Sequence, residues 1–240
     1  MRSSILPQVI ATLCLLSGFT LVSHSELKPV LAEDVSQARE GFPGRRVGGG
    51  TRSDMFISDS PLTALVPDNS QGLTGSATPT LFFYVPQTEK PQTVEFVLVD
   101  ENQREVYKTE FITSGKSGVT GITIPDNEPT KTLEIGKNYR WYFAIVPDQN
   151  NRKLDVYVQG SIKRVAVNQD LENKLKQGAS LDLVDAYLAN NLWYDAMATM
   201  AELRRSRPTD TTVANKWQQL LNSVDLQKLA QEPLVGYNKQ

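Results

Sequence analysis

The chain has 240 residues, of which 40% are hydrophobic and 22% are charged, and its formal net charge is −2 at pH 7. This composition is typical of an ordinary globular protein and excludes a fibrous protein or one with many membrane spans. The 25 basic and 27 acidic residues also show no basic excess of the kind that nucleic-acid binding requires. We therefore expect no nucleic acid among its partners.

The first 32 residues are typical of a signal peptide. Arg2 gives a positive start, residues 5–22 are largely apolar, and Ala32 fits the small-residue position of a cleavage site. The alternative is an uncleaved anchor, because about 18 apolar residues can just cross a bilayer. We expect cleavage after Ala32, which predicts an exported protein of the periplasm or extracellular space without a stable membrane span.

The single cysteine, Cys14, and the single histidine, His24, both lie in this first segment. The cleaved protein would therefore have no disulfide, no thiolate nucleophile and no Ser-His-Asp triad. It would also lack the common ligands of zinc and haem, although Ca²⁺ or Mg²⁺ sites with oxygen ligands would remain open. Turn chemistry explains the acidic loops at 100–101 and 126–128, so we expect no cofactor and no metal site. Acid–base chemistry would fall to Asp, Glu, Lys or Tyr, which leaves a hydrolase with paired carboxylates open.

Residues 33–58 are rich in glycine and arginine and predict a flexible arm. Three guanidinium groups beside such backbone can clamp a carboxylate, sulfate or phosphate, and glycines let backbone N–H groups approach an anion. The alternative is an edge strand that crosses the fold, with its arginines on the protein's own carboxylates. No P-loop pattern follows, which disfavours nucleotides. The candidate anion-binding or partner-binding residues are Arg45, Arg46, Gly48, Gly49, Gly50 and Arg52.

Residues 59–167 carry the signals of β-strands, which are short aromatic and β-branched runs separated by turn residues. There are seven such runs, among them residues 80–85, and residues 139–146 are the strongest of the set. Many short strands with turns between them predict a mainly β domain, an immunoglobulin-like antiparallel β-sandwich.

The segment 133–141 resembles the tyrosine corner of such sandwiches. Leu133, Gly136 and Tyr139 occupy the Leu-x-x-Gly-x-x-Tyr positions, where the tyrosine hydroxyl bonds back to the backbone. Strand alternation then places Tyr139, Trp141, Phe143 and Ile145 in the core. We expect Leu133, Gly136, Tyr139 and Trp141 to be structural residues.

Strand alternation directs Tyr142 away from that core. Together with Tyr84 and Tyr107 it predicts an exposed aromatic face on which sugar rings could stack. The alternative is that these side chains form ordinary core or cross-strand pairs.

Residues 168–230 predict a C-terminal helical subdomain, and residues 231–240 a frayed tail. Asn168 and Ser180 are suited to cap its first two helices. Residues 177–210 resemble one tetratricopeptide-like hairpin, but a solenoid normally needs at least three repeats, so we favour a short helical bundle packed on the sandwich. Large side chains at helical spacing predict its core, or alternatively a partner groove: Trp193, Met197, Met200 and Trp217.

Four ordered segments together resemble one family. They are Gly-Arg-Arg-Val-Gly-Gly-Gly-Thr-Arg at 44–52, Leu-Thr-Ala-Leu-Val-Pro at 62–67, Pro-Thr-Leu-Phe-Phe-Tyr-Val-Pro at 79–86 and Leu-Glu-Ile-Gly-Lys-Asn-Tyr-Arg-Trp-Tyr-Phe at 133–143. The chain resembles the cyanobacterial family of domain of unknown function 928 over residues 44–224. The resemblance implies an exported cyanobacterial protein and brings no catalytic residue with it.

The expected function is that of an exported, non-enzymatic protein-interaction module of the cyanobacterial cell envelope. Its partner would be an envelope protein, contacted by the arm and the helical hairpin. One alternative is an envelope polysaccharide-binding module that uses the aromatic face. A second alternative is a carboxylate-based hydrolase.

Overall fold

The computed structural model describes residues 44–49, 55–126 and 132–236. Within these residues the strands lie in the N-terminal part and the helices in the C-terminal part, which confirms a mixed fold with strands first. The strands are β1 (Thr63–Ala64), β2 (Gln71–Thr74), β3 (Thr80–Val85), β4 (Thr93–Val99), β5 (Glu105–Ile112), β6 (Gly118–Thr123), β7 (Asn138–Val146) and β8 (Val156–Arg164). The α-helices are α1 (Gln169–Leu175), α2 (Leu181–Ala189), α3 (Trp193–Ser206) and α4 (Thr211–Asn222).

The strands form two sheets. The smaller sheet has the order β1-β3-β6, and the larger sheet has the order β2-β8-β7-β4-β5. The prediction that all strands are antiparallel is wrong at one pair, because β2 runs parallel to β8. Strand β2 was not among the predicted strands, because its four residues Gln-Gly-Leu-Thr contain no run of β-branched or aromatic side chains.

The two sheets pack face to face on an aromatic core. The ring of Phe83 in β3 stacks on Phe143 in β7, with centroids 4.1 Å apart, and meets the edge of Trp141 at 5.5 Å. Trp141, Phe143 and Ile145 are fully buried, and Tyr139 is 4% exposed. The predicted inward face of β7 is therefore confirmed, and its rings supply much of the apolar area that stabilises the domain.

The loop before β7 forms the predicted tyrosine corner. The backbone N–H of Glu134 donates to the hydroxyl oxygen of Tyr139 at 2.9 Å. Gly136 has a φ of +86°, in the left-handed region that glycine adopts at little cost. Leu133 is buried beside them. The structural interpretation of these residues is confirmed.

The helices begin at the predicted caps. The side chain of Asn168 accepts from the backbone N–H of Leu171, and Ser180 accepts from that of Leu183. Helices α2 and α3 pack as a hairpin, and α3 lies against β2 and β3. None of the helices in the described part of the chain is long and apolar enough to cross a membrane.

The large helical side chains form the core of the subdomain. The indole N–H of Trp193 donates to the carbonyl oxygen of Leu65 at 2.8 Å, and that of Trp217 to the carbonyl oxygen of Ala230 at 3.1 Å. Met197 and Met200 are buried in the same hydrophobic core. The alternative of an open partner groove lined by these four side chains is therefore wrong.

Candidate functional site

A cleft of about 340 Å³ lies where the α2–α3 hairpin meets the loop that follows β2. Its volume falls within the range of small-molecule sites, about 300 to 1,000 Å³. Leu175, at the end of α1, forms part of its rim and is 40% exposed. We name it the Asp195 cleft, and its polar wall contains Gly75, Ser76, Tyr187, Asp195 and Thr199.

Asp195 lies in the first turn of α3 and is only 9% exposed. Its Oδ2 accepts the backbone N–H of Gly75 at 3.0 Å, a contact that links positions 120 residues apart. Burial raises the pKa of the carboxyl, and the hydrogen bonds from Gly75 and Thr74 oppose that effect without cancelling it. The loop after β2 therefore holds this carboxylate in a fixed orientation.

The two tyrosines of the cleft have different roles. Tyr194 is turned toward the sheet, where its hydroxyl accepts from the indole N–H of Trp141 at 2.9 Å and donates to the carbonyl of Ser161 at 3.0 Å. Burial, and then the charge of Asp195, raises the pKa of Tyr187 to about 12. Tyr187 is thus a neutral hydroxyl at physiological pH.

The cleft contains one carboxylate and no counter-charge. No lysine or arginine of the described residues forms an ion pair with Asp195. Its pKa is governed by burial and by hydrogen bonds from neutral groups. A second acid, which a hydrolase with paired carboxylates would need, is missing from the lining of this cleft. The described residues also contain no cluster of three potential metal ligands.

A second cleft, of about 450 Å³, lies on the other side of the α2–α3 connection. It opens between the outer face of β2 and β8 and the residues that join the two helices. We name it the amide cleft, because side-chain amides dominate its polar wall. The residues that line it include Asn69, Gln71, Asn138, Lys163, Asn191 and Trp193.

The described part of the predicted arm is an ordered segment that joins the two sheets. The backbone of Arg45 exchanges hydrogen bonds with Gln159 in β8, at 2.8 and 2.9 Å. Two residues later, Val47 pairs with Thr63 in β1. The prediction of a flexible arm is therefore wrong for residues 44–49, and the alternative of an edge strand crossing the fold is the correct one there. Gly50, Arg52 and residues 33–43 lie outside the described residues.

Arg46 binds the protein itself. Its guanidinium donates to the carbonyl oxygens of Val224, at 2.6 Å, and Val66, at 3.3 Å, and pairs with Asp68. Arg45 is more open and lies over the ring of Tyr157, 5.2 Å from its centroid. The structure thus separates two arginines that the sequence analysis had grouped, since only Arg45 presents its guanidinium at the surface.

The neighbouring glycines of this segment allow close packing. Gly48 is buried, and its N–H donates to the carbonyl of Leu62. A Cβ at Gly49 would overlap the guanidinium of Arg45, at 1.6 Å from Nη2. Gly48 therefore has a packing role in the described segment, whereas a Cβ at Gly49 would meet only the end of the flexible Arg45 side chain.

The proposed aromatic face is not exposed. Tyr142, Tyr84 and Tyr107 are 4, 1 and 6% exposed, so the expectation of an open stacking surface is wrong. Tyr142 does point away from the main core, as predicted, but it packs in a small cluster with Val97 and Val99 on the outer face of the larger sheet. Side chains on that face of the sheet cover one another. The alternation of residues along a strand predicts which face a side chain lies on, but not how exposed it is.

The same outer face carries a charged cluster that the sequence analysis missed. Glu95 pairs with Lys108 and Arg152, both at 2.8 Å, and Arg152 also pairs with Asp155 at 2.8 Å. Burial would raise the pKa of Glu95, but the bonds from Arg152 and Lys108 outweigh burial and lower it. These charges satisfy one another, so the cluster is a stabilising feature of the sheet.

Comparison with known families shows to which family the chain belongs. The family model Domain of Unknown Function (DUF928) matches residues 47–234. The chain belongs to this family. The match to DUF928 includes β1 to β8, the four helices of the described residues and the lining of both clefts. No curated protein matches the chain.

Asp195 is the main residue that sequence reasoning missed. It follows Trp193 and Tyr194 and precedes Ala196 and Met197, so it is an acid within a buried stretch of helix. An acidic residue in a first helical turn normally indicates favourable interaction with the helix dipole at the surface. Its buried neighbours on both sides were the signal that distinguished it.

Proposed function

We propose that this chain is an exported, non-enzymatic protein-interaction module of the cyanobacterial cell envelope, and that its contact surface is the α2–α3 hairpin with its two flanking clefts. The observation that carries the proposal is the Asp195 cleft, a built cavity whose one buried carboxylate has no ion-pair partner among the described residues. Such a cavity is suited to receive a group from a partner. Its lining offers no pair of acids for catalysis.

The architecture we propose is immunoglobulin-like, with the helices as an addition to one end. The tyrosine corner between β6 and β7 supports this assignment, because that motif is typical of such sandwiches. The parallel β2–β8 pair is a departure from the usual antiparallel pattern. The departure lies next to α3, so the hairpin and β2 together distinguish this protein from a plain sandwich.

An affinity capture from envelope extract tests the proposal. The purified chain is the bait, beside the variants Asp195→Asn, Asp182→Asn and Arg45→Glu. Asp182 is an exposed acid in the first turn of α2, so its variant is matched in chemistry but lies outside the cleft lining. We expect one envelope protein that the wild type and the Asp182 variant retain and the Asp195 variant loses. If only Arg45→Glu loses the captured protein, the contact surface lies at residues 44–49 instead. If the wild type captures no protein at all, the proposal is refuted.

A second candidate function is the binding of an envelope polysaccharide in the amide cleft. Amide side chains of Asn69, Gln71 and Asn191 line that cleft, and such groups both donate to and accept from sugar hydroxyls. Pelleting of the chain with cell-wall polysaccharide tests it, with Gln71→Ala as the cleft variant and the exposed Gln87→Ala as the matched control. Polysaccharide binding requires that only Gln71→Ala reduces the pelleted fraction.

A further inference from the structure

We propose that the Asp195 cleft binds a primary ammonium group, with the carboxylate of Asp195 as its counter-ion and the hydroxyls of Tyr187 and Thr199 as further acceptors. This inference deepens the proposed function, because it names the chemical group that the interaction surface would recognise. The ammonium can belong to a free alkylamine or to a lysine side chain of a protein.

Asp195 is a buried negative charge without a cation beside it in the part of the chain that the structure describes. Asp195 is 9% exposed and forms no ion pair with the described residues. A buried carboxylate is costly unless a partner compensates it, and the donors that reach Asp195, from Gly75, Thr74 and Ser76, are all neutral. The walls contain no other acid or base except the two tyrosines, Tyr187 and Tyr194. A cation is therefore the ligand that this cleft lacks.

The Asp195 cleft also contains two hydroxyl groups that are open to a ligand. The hydroxyls of Tyr187 and Thr199 form no hydrogen bond within the described residues, and neither is enclosed completely. An ammonium group has three donors and no acceptor. One carboxylate oxygen and two hydroxyl oxygens around a cleft match those three donors, whereas a carboxylate or phosphate ligand would meet a like charge at Asp195.

Part of the wall of the Asp195 cleft is apolar. The remaining lining includes Pro79, Val167, Leu175 and Ala198. These side chains offer contact to methylene groups, and a lysine or alkylamine carries its charge on such a stem. The cavity volume of about 340 Å³ accommodates a butyl chain with its ammonium group. The combination of one charge, two hydroxyls and an apolar rim therefore indicates an alkylammonium ligand.

Titration of the purified full chain with n-butylammonium chloride, followed by amide and side-chain NMR shifts, tests the inference. We expect saturable shifts at Gly75 and Thr199, and an affinity at least about tenfold weaker in Asp195→Asn. Asp182→Asn should bind as the wild type does. Tyr187→Phe, which keeps the ring and removes only one acceptor, should weaken binding by a smaller factor of about three.

Two further ligands identify the source of the ammonium group. A capped Gly-Lys-Gly peptide presents the group as a protein would, and the same peptide acetylated at Nζ removes its charge. If butylammonium binds and the lysine peptide does not, the natural ligand is a free amine. If the lysine peptide binds, whether or not butylammonium also binds, the natural ligand is a segment of a protein. The inference is overturned if neither ligand binds, if the acetylated peptide binds equally well, or if Asp195→Asn leaves the affinity unchanged.

The outcome is separable from that of the envelope capture. Failure of the amine titration would remove the ammonium group as the recognised feature, while a protein still captured through the hairpin would keep the interaction proposal. Failure of the capture, with amine binding intact, would instead leave a small-molecule site without a protein partner.

Discussion

Two buried carboxyls of this protein have pKa values displaced in opposite directions. Asp195 is surrounded by neutral groups, so burial raises its pKa. Glu95 accepts from Arg152 and Lys108, which lower its pKa despite burial. The difference arises because one carboxyl has cations within hydrogen-bonding distance and the other has only backbone and hydroxyl donors. At the scale of residues, this contrast separates a site that lacks a partner from a cluster that is complete.

Replacing Asp195 with Asn should stabilise the protein near pH 7. A carboxyl whose folded pKa is raised contributes stability below its unfolded pKa, and that contribution is lost as pH rises through the folded pKa. Asn avoids the buried charge and still accepts the N–H of Gly75. Thermal unfolding between pH 3 and pH 8 should therefore show a higher Tm for Asp195→Asn at neutral pH. The advantage should shrink toward about pH 4, the ordinary range of Asp, while Asp182→Asn should show no such trend.

Replacing Glu95 with Gln should have the opposite pH dependence. A carboxyl whose folded pKa is lowered contributes stability above its unfolded pKa, and that contribution disappears as pH falls through the folded value. We expect Glu95→Gln to lower the free energy of unfolding by about 1–3 kcal/mol at pH 7, because charged hydrogen bonds are lost. Urea unfolding at several pH values should show the loss diminishing in acid. A constant loss at all pH values would contradict the assignment.

At the scale of elements, local signals in the sequence predicted more than long-range pairing. The caps at Asn168 and Ser180 and the turn at Gly136 depend on residues a few positions apart, so their patterns are complete within a short window. Strand β2 has no such pattern. It pairs with β8, and Gly72 leaves room there for the ring of Tyr194, because a Cβ at this position would lie 2.5 Å from Cε2 of that ring. That contact joins residues far apart in the chain, so the spacing of residues in the sequence does not predict it.

The tyrosine corner should be sensitive to a single methyl group. Gly136 has a φ of +86° and open space around its Cα, so Gly136→Ala adds backbone strain without a clash. We expect a loss of about 1–2 kcal/mol in the free energy of unfolding. Gly236→Ala is the matched control, since that glycine has open space and no positive φ. Equal stabilities of the two variants in urea would refute the strain argument.

The segment 44–49 should contribute stability through Arg46 far more than through Arg45. Arg46 joins this segment to the residues after β1 and after α4, through Val66 and Val224. We expect Arg46→Met to cost about 2–3 kcal/mol, because hydrogen bonds from a charged group are lost where the side chain is mostly enclosed. Arg45→Met removes a more open guanidinium that stacks on Tyr157 and donates one exposed hydrogen bond to the carbonyl of Val47, so it should cost about 0.5–1 kcal/mol. Urea unfolding of both variants measures the difference, and equal costs would contradict it.

At the scale of the whole molecule, composition and alternation predicted the order of strands and helices but not where a site would be. The arm and the aromatic face were chosen because their residue types are conspicuous in the sequence. The structure uses Arg46, Gly48 and Tyr142 within the fold instead. The Asp195 cleft is assembled from the loop after β2 and the helices α1, α2 and α3, so it exists only once the hairpin has docked. A site of this kind has no linear motif.

The central claim is that the face with the Asp195 cleft meets the partner, and site-specific photo-crosslinking in the intact envelope tests it most directly. A photoreactive phenylalanine analogue at Leu175, on the rim of the cleft, is compared with the same group at Ile112 in β5. The two positions are 40 and 44% exposed, so reactivity toward bystanders is matched. We predict one discrete protein adduct from position 175, absent from position 112 and lost when Asp195→Asn is added. No adduct from position 175, or the same adduct from both positions, would contradict the account.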